Sequence, residues 1–267
     1  MADAGEDPTP KEIAAGAPDA LAAKVDRSYP RMLVLAMLAG ALIGFGSIGY
    51  LIVQAGPGAP SGAGQLLSGL AFSVGLMLVM VTGAELFTGN TMFVLPAAEG
   101  RLSAGRMIVA WTVVWIGNLL GSAALAAAFV AAGGAEGVDG GVAAAAVRVA
   151  TEKVGKGAGA LLLSGMLANM LVCLAVWGAM TATSVSSKVL AIVGPVTLFV
   201  AAGFEHSIAN QSLLPIGWLV QSGDAVGGAG IAYNLALSTV GNIAGGAVVA
   251  LGLGFGQGKL GAEHGRS

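Results

Sequence analysis

Two carboxylates, one imidazole and one hydroxyl stand where water is scarce. Glu85 in "GAELFTGN" (83–90) and Glu205 in "GFEHSIAN" (203–210) are the only acidic residues inside long apolar runs, and His206 is the only histidine in one. Thr88 lies three residues beyond Glu85. A carboxylate survives in such surroundings only with donors or cations around it. An imidazole exchanges a proton near neutral pH, and a hydroxyl both donates and accepts. These types suit hydrogen bonding, charge screening and proton exchange with a small polar passenger. Nothing suits bond making: no metal-ligand spacing, cofactor site or hydrolase elbow occurs, and the other histidine, His264, is in the polar C-terminal stretch. No catalytic residue, cofactor or metal is expected.

The elements that must hold these groups are set by hydropathy. With 56% hydrophobic and 10% charged residues and a mean hydropathy of +0.84, the chain reads as an all-α polytopic membrane protein. Its net charge of −2 and the lack of any basic run exclude a nucleic-acid binder. The single Cys173 allows no disulfide framework. Six apolar segments, at 32–53, 66–98, 107–132, 157–180, 189–220 and 231–255, are each long enough to cross a core of about 30 Å. Residues 1–28 read as a disordered cytosolic tail, 29–256 as the transmembrane domain and 257–267 as a second cytosolic tail. Counting Lys and Arg with the N-terminus inside gives nine inside against Arg148, Lys153 and Lys156 outside, which predicts both termini cytoplasmic.

Segments two and five span 33 and 32 residues, too long for one straight crossing. With Pro96, Pro195 and Pro215 flanking the octets, both are predicted to break, near Thr88 and Ala209. The octets share Gly, Glu and Asn at three places (Gly83, Glu85, Asn90; Gly203, Glu205, Asn210). "GNLLG" (117–121) matches "GNIAG" (241–245), and "LAGALIG" (38–44) faces "LSGMLAN" (163–169). Three crossings per copy is an odd number, so the second copy must enter the membrane upside down, an inverted repeat with its path between two broken helices. Glu85 and Glu205, with Asn90 and Asn210, then read as structural partners for the donors freed at each break, the alternative being cation ligands lining a pore. Asn169, the only amide in the run 157–178, must find a polar partner. "GFGSIG" (44–49) has dinucleotide-like spacing but no strand before it; with Gly117, Gly121, Gly241 and Gly245 it reads as small faces for close helix packing.

"GAELFTGN", "GMLANMLVCLA" (165–175) and "GFEHSIAN", in that order, resemble the formate/nitrite transporter family of bacterial and archaeal inner membranes, from about residue 25 to 255. The resemblance implies an aquaporin-like fold of six helices in a homopentamer with one pore per protomer; no Asn-Pro-Ala motif of a true aquaporin is present. It also implies that His206 is the pore histidine, Thr88 the broken-loop threonine, Asn169 the fourth-helix asparagine and Lys153, sixteen positions earlier, an anion attractor. Phe72, Leu76 and Phe199 would form the apolar constrictions. One departure is Gln211, where a Met commonly follows "SIAN", and it is expected to alter the outer half of the path.

The expected function is a channel or transporter for small monovalent weak-acid anions, with hydrosulfide, lactate or a neutral solute as alternatives. "AELFTGNTMF" is closer to the nitrite branch, while the Leu-Pro-Ile-Gly ending of "SIANQSLLPIG" resembles formate members. His206 either hands a proton to the passing anion or keeps its protonation state and sets an electrostatic barrier.

Overall fold

The computed structural model describes residues 9–56, 61–258 and 260, and among these every regular element is helical. His264, Lys259 and Arg266 lie outside the described residues.

The chain opens with α1 (Pro10–Val25), where a disordered tail was expected. The reason is local: Thr9 accepts from the Glu12 N–H while Glu12 reaches back to the Thr9 N–H, and Pro10 pre-sets the first turn. The apolar side of α1 (Ala14, Ala17, Leu21, Val25) is buried.

Beyond it come α2 (Tyr29–Gln54), α3 (Gly62–Thr82), α4 (Phe87–Asn90), a 3-10 turn (Thr91–Phe93), α5 (Val94–Ala98), α6 (Ala104–Ala131), α7 (Gly141–Val154), α8 (Ala158–Thr181), α9 (Val185–Ala201), α10 (Ser207–Val220) and α11 (Gly228–Gly256). Five of these, α2, α3, α6, α8 and α11, are long and apolar enough to cross a membrane. The apolar α9 has 17 residues and falls just short.

Helices α2 and α6 pack together, as do α8 and α11, while α3 lies against both α2 and α9. Backbone approach at the first two contacts is close enough to demand glycine. A Cβ on Gly121 would overlap the Met37 carbonyl, and one on Gly245 the Met166 carbonyl.

Segments two and five are interrupted at the octets, a few residues before Thr88 and Ala209, and by glycine rather than proline. Helix α3 stops at Thr82 and α9 at Ala201, and helix resumes at Phe87 and Ser207. Thr88 and Ala209 thus sit in the first turns of the new helices. The stop is a left-handed glycine in each case, Gly83 at φ 67° and Gly203 at φ 69°. Pro195 and Pro215 are accommodated inside α9 and α10 and terminate neither.

Candidate functional site

The two breaks are held by the same device. Asn118 of α6 accepts from the Phe87 N–H at 2.9 Å and donates to the carbonyls of Glu85 (2.9 Å) and Ala36 (2.8 Å). Asn242 of α11 accepts from the Ser207 N–H at 2.8 Å and donates to the carbonyls of Glu205 (2.9 Å) and Gly165 (2.8 Å). A carboxamide, with donor and acceptor on one head, satisfies both sides of a broken helix at once. The backbone donors expected to fall to Glu85 and Glu205 therefore belong to asparagines. Both stand in the matched "GN" pairs, beside the glycines that read as small packing faces.

The glutamates collect cations and amides instead. Glu85 accepts from Lys24 (3.3 Å), Arg27 and Asn90 (2.8 Å), so α1 is strapped across the first break. Glu205 accepts from Lys153 (3.1 Å), Lys156 (2.7 Å), Asn210 (2.6 Å) and Asn234 (3.4 Å). Both carboxylates are buried, and each faces two cations and at least one amide donor. Lys24, Arg27, Lys156 and Asn234 were not singled out in the sequence. Their only signal is that Lys24/Arg27 and Lys153/Lys156 share a spacing of three residues, a weak mark without knowing what they face.

Lys153 is in the last turn of α7, an amphipathic helix between the third and fourth apolar segments, and its side chain is 13% exposed. Burial pushes its ammonium below the ordinary lysine range, opposed by the charge of Glu205. The lysine therefore shares Glu205 with Lys156 at the wall of a cavity and is not a solvated loop residue.

That cavity, of about 40 Å³, is lined by Tyr50, Phe72, Lys153, Phe199, His206 and Asn210 among others, room for a water-sized or small polyatomic guest. Its floor is aromatic. Phe199 stacks on the His206 ring (centroids 5.6 Å, 20°) and meets Phe72 edge to face at 5.8 Å. Leu76, one turn beyond Phe72 on α3, is buried but does not line the cavity. Nor does Gln211, whose amide is buried without a hydrogen-bond partner among the described residues.

Beneath the phenylalanines the two breaks meet through side chains. His206 caps α10, its Nδ1 accepting from the Ala209 N–H at 3.0 Å. With Nδ1 taken as an acceptor, the proton of a neutral ring sits on Nε2, which faces Thr88 Oγ1 at 2.9 Å and donates to it. The Thr88 hydroxyl hydrogen is then free for a guest. Asn169 closes the far side, its Nδ2 donating to Thr88 O (3.2 Å), Thr91 Oγ1 (2.9 Å) and Asn242 O (2.6 Å). Four residues remote in sequence, Thr88, Asn169, Asn242 and His206, thus form one buried polar junction at the helix breaks.

The formate/nitrite transporter family model matches residues 11–255. The chain belongs to this family. It is 33% identical over 258 residues to the formate channel FocA of Escherichia coli strain K12, covering 90% of each chain. It is 39% identical over 224 residues to the nitrite transporter NirC of Salmonella typhimurium strain LT2, covering 83% of this chain and 81% of the relative. Among solved structures it resembles an FNT family ion channel with a TM-score of 0.81 at 34% identity, over 92% of this chain and 98% of that one. A pentameric formate channel with formate bound matches at a TM-score of 0.76 and 34% identity, over 82% of this chain and 93% of that one.

Proposed function

We propose that this family member is a homopentameric inner-membrane channel for small monovalent weak-acid anions, formate and nitrite foremost, with six crossings in two inverted repeats and both termini cytoplasmic. The observation that carries the reading is the junction of the two breaks, His206 Nε2 against Thr88 Oγ1 at 2.9 Å, closed by the Phe72–Phe199 pair. Its form is that of a path narrowed at mid-membrane by apolar rings with one hydrogen-bonding station between them. The paired asparagines at 118 and 242, bonding equivalent groups of the two breaks, support the repeat. The relatives' names, a formate channel and a nitrite transporter, supply the substrate class, and the pentameric formate channel supplies the assembly.

In this reading an anion is drawn into the cavity by the field of Lys153 and Lys156. It meets the phenylalanines, where a full charge is costly, and passes most easily as the undissociated acid. His206 and Thr88 then offer hydrogen bonds across the constriction. The Ala209 N–H occupies the nitrogen that a second proton would need, so the geometry favours a neutral His206 acting as donor and barrier over one that discharges a proton at each passage.

Uptake of formate, nitrite and hydrosulfide into proteoliposomes, compared across pH, tests the function. Flux of the weak acids that rises as external pH falls is expected; no flux of any of the three would overturn it. Lys153 contributes attraction, so Lys153→Ala should lower uptake several-fold at low salt and low substrate and recover at saturating substrate, because one charge is screened within about 8 Å at physiological ionic strength. Unchanged uptake at low salt would count against that role.

A further inference from the structure

The cavity above the phenylalanines is open at one end, since Gly203 in its wall is exposed while Phe72, Phe199 and His206 at its floor are buried. A guest entering from that side meets four polar side chains, Tyr50, Lys153, His206 and Asn210, and the other lining side chains are apolar. Most of their donors are spent. His206 Nε2 faces Thr88, the Asn210 amide donates to Glu205 and Asn234, and Lys153 gives a hydrogen to Glu205. Tyr50 differs from all three. Its hydroxyl has no hydrogen-bond partner among the described residues, and it is not sealed away: the side chain is only partly buried, and its oxygen keeps contact with solvent.

The phenol is presented from a fixed frame. Gln54 lies one turn further along the same face of α2, and Arg148 of α7 donates to its carbonyl (3.4 Å) and its Oε1 (3.1 Å). Gln54 Nε2 in turn donates to Ser68 (2.9 Å) and Gln65 (3.3 Å) of α3. Phe72 follows Ser68 by one turn. The phenol in the wall and the phenylalanine in the floor are therefore carried on helices tied together by one polar cluster, which is the condition for a directed contact.

Water satisfies a phenol in such a place when no guest is present. An oxyanion accepts better, because a hydrogen bond to an ionised acceptor is about twice as strong as one between neutral groups. We propose that the Tyr50 hydroxyl is a substrate-binding contact, donating to a carboxylate or nitrite oxygen while the anion stands before the phenylalanines. This rests on the reading of that cavity as part of the substrate path. The lysines and the phenol then have different tasks: a field concentrates anions without orienting them, whereas the hydroxyl holds one oxygen at one place. A single such bond is also weak enough to release the guest onward, as conduction requires.

Tyr50→Phe removes one oxygen and keeps the ring. Initial uptake of radiolabelled formate into proteoliposomes is read over a range of formate concentrations, at low and at high salt. The variant is expected to raise the half-saturating concentration about three- to tenfold, one hydrogen bond's worth, with a smaller change in maximal rate. That factor should be the same at both salt concentrations, unlike the loss in Lys153→Ala, which screening erases. The thermal midpoint of the detergent-solubilised variant should equal that of wild type, since the hydroxyl holds nothing within the described protein. An unchanged half-saturating concentration, or a rise that fades with salt, would overturn the contact and leave the channel standing. A lowered midpoint would overturn it too, by showing that the hydroxyl serves the fold. A wild-type protein that carries neither formate nor nitrite would overturn the channel reading, and this contact with it.

Discussion

Glu205→Ala is expected to leave little folded oligomer. The carboxylate is buried and accepts from Lys153, Lys156, Asn210 and Asn234, so its removal strands two ammonium groups and frees the strut between α7, α10 and α11. Deleting one partner of a buried ion pair costs about 3–5 kcal/mol, a large share of the stability of a typical domain. Glu205→Gln should fall between, since it keeps the shape and an acceptor but not the charge. Yield of oligomer on size exclusion and the thermal midpoint of detergent-solubilised protein are the measurements. A Glu205→Ala protein with the wild-type midpoint would show that the second break is held without this cluster.

The second large effect is on transport. His206→Asn should lower uptake by about tenfold or more, an added barrier of about 1.4 kcal/mol or greater, while its rise with falling pH persists. Asparagine is a good helix N-cap and can still take the Ala209 N–H, so α10 should keep its start. It loses the Nε2–H aimed at Thr88 and the ring stacked on Phe199. The slope persists because a ring whose Nδ1 already accepts a backbone N–H is not the source of the substrate's proton. Initial uptake of labelled formate and nitrite at several pH values, with the membrane potential clamped, decides it. A flat profile in His206→Asn would restore the relay and remove the barrier reading.

Much of the architecture could be read from the chain because membrane-crossing segments announce themselves by length, and two were too long to be straight. The octets mark both breaks, but the flanking prolines have no part in them: the stop is made by left-handed Gly83 and Gly203. Helix α1 was missed although "TPKE" is a complete start signal; the charge density around it outweighed the cap. The polar junction was half legible. Thr88, His206 and Asn169 stand out as polar residues in apolar runs; Asn118 and Asn242 stand in the matched "GN" pairs, but their task is shown only by the partners they reach, 31 and 35 residues away. Lys153 was assigned by resemblance alone, and no local pattern shows that it faces Glu205 across 52 residues.

The strap of α1 over the first break bears on where the folded unit begins. Besides Lys24 and Arg27 on Glu85, Asp19 pairs with Arg101 and Asp26 with Arg106, so the helix is riveted at several points to the loop and helix that follow α5. A shortened protein starting at the first crossing, Tyr29, would keep every membrane-spanning residue and still carry a buried Glu85 stripped of both its cations. The segment ahead of the first crossing, from the Thr9 cap through Arg27, therefore belongs to the same folded unit as the membrane-crossing helices.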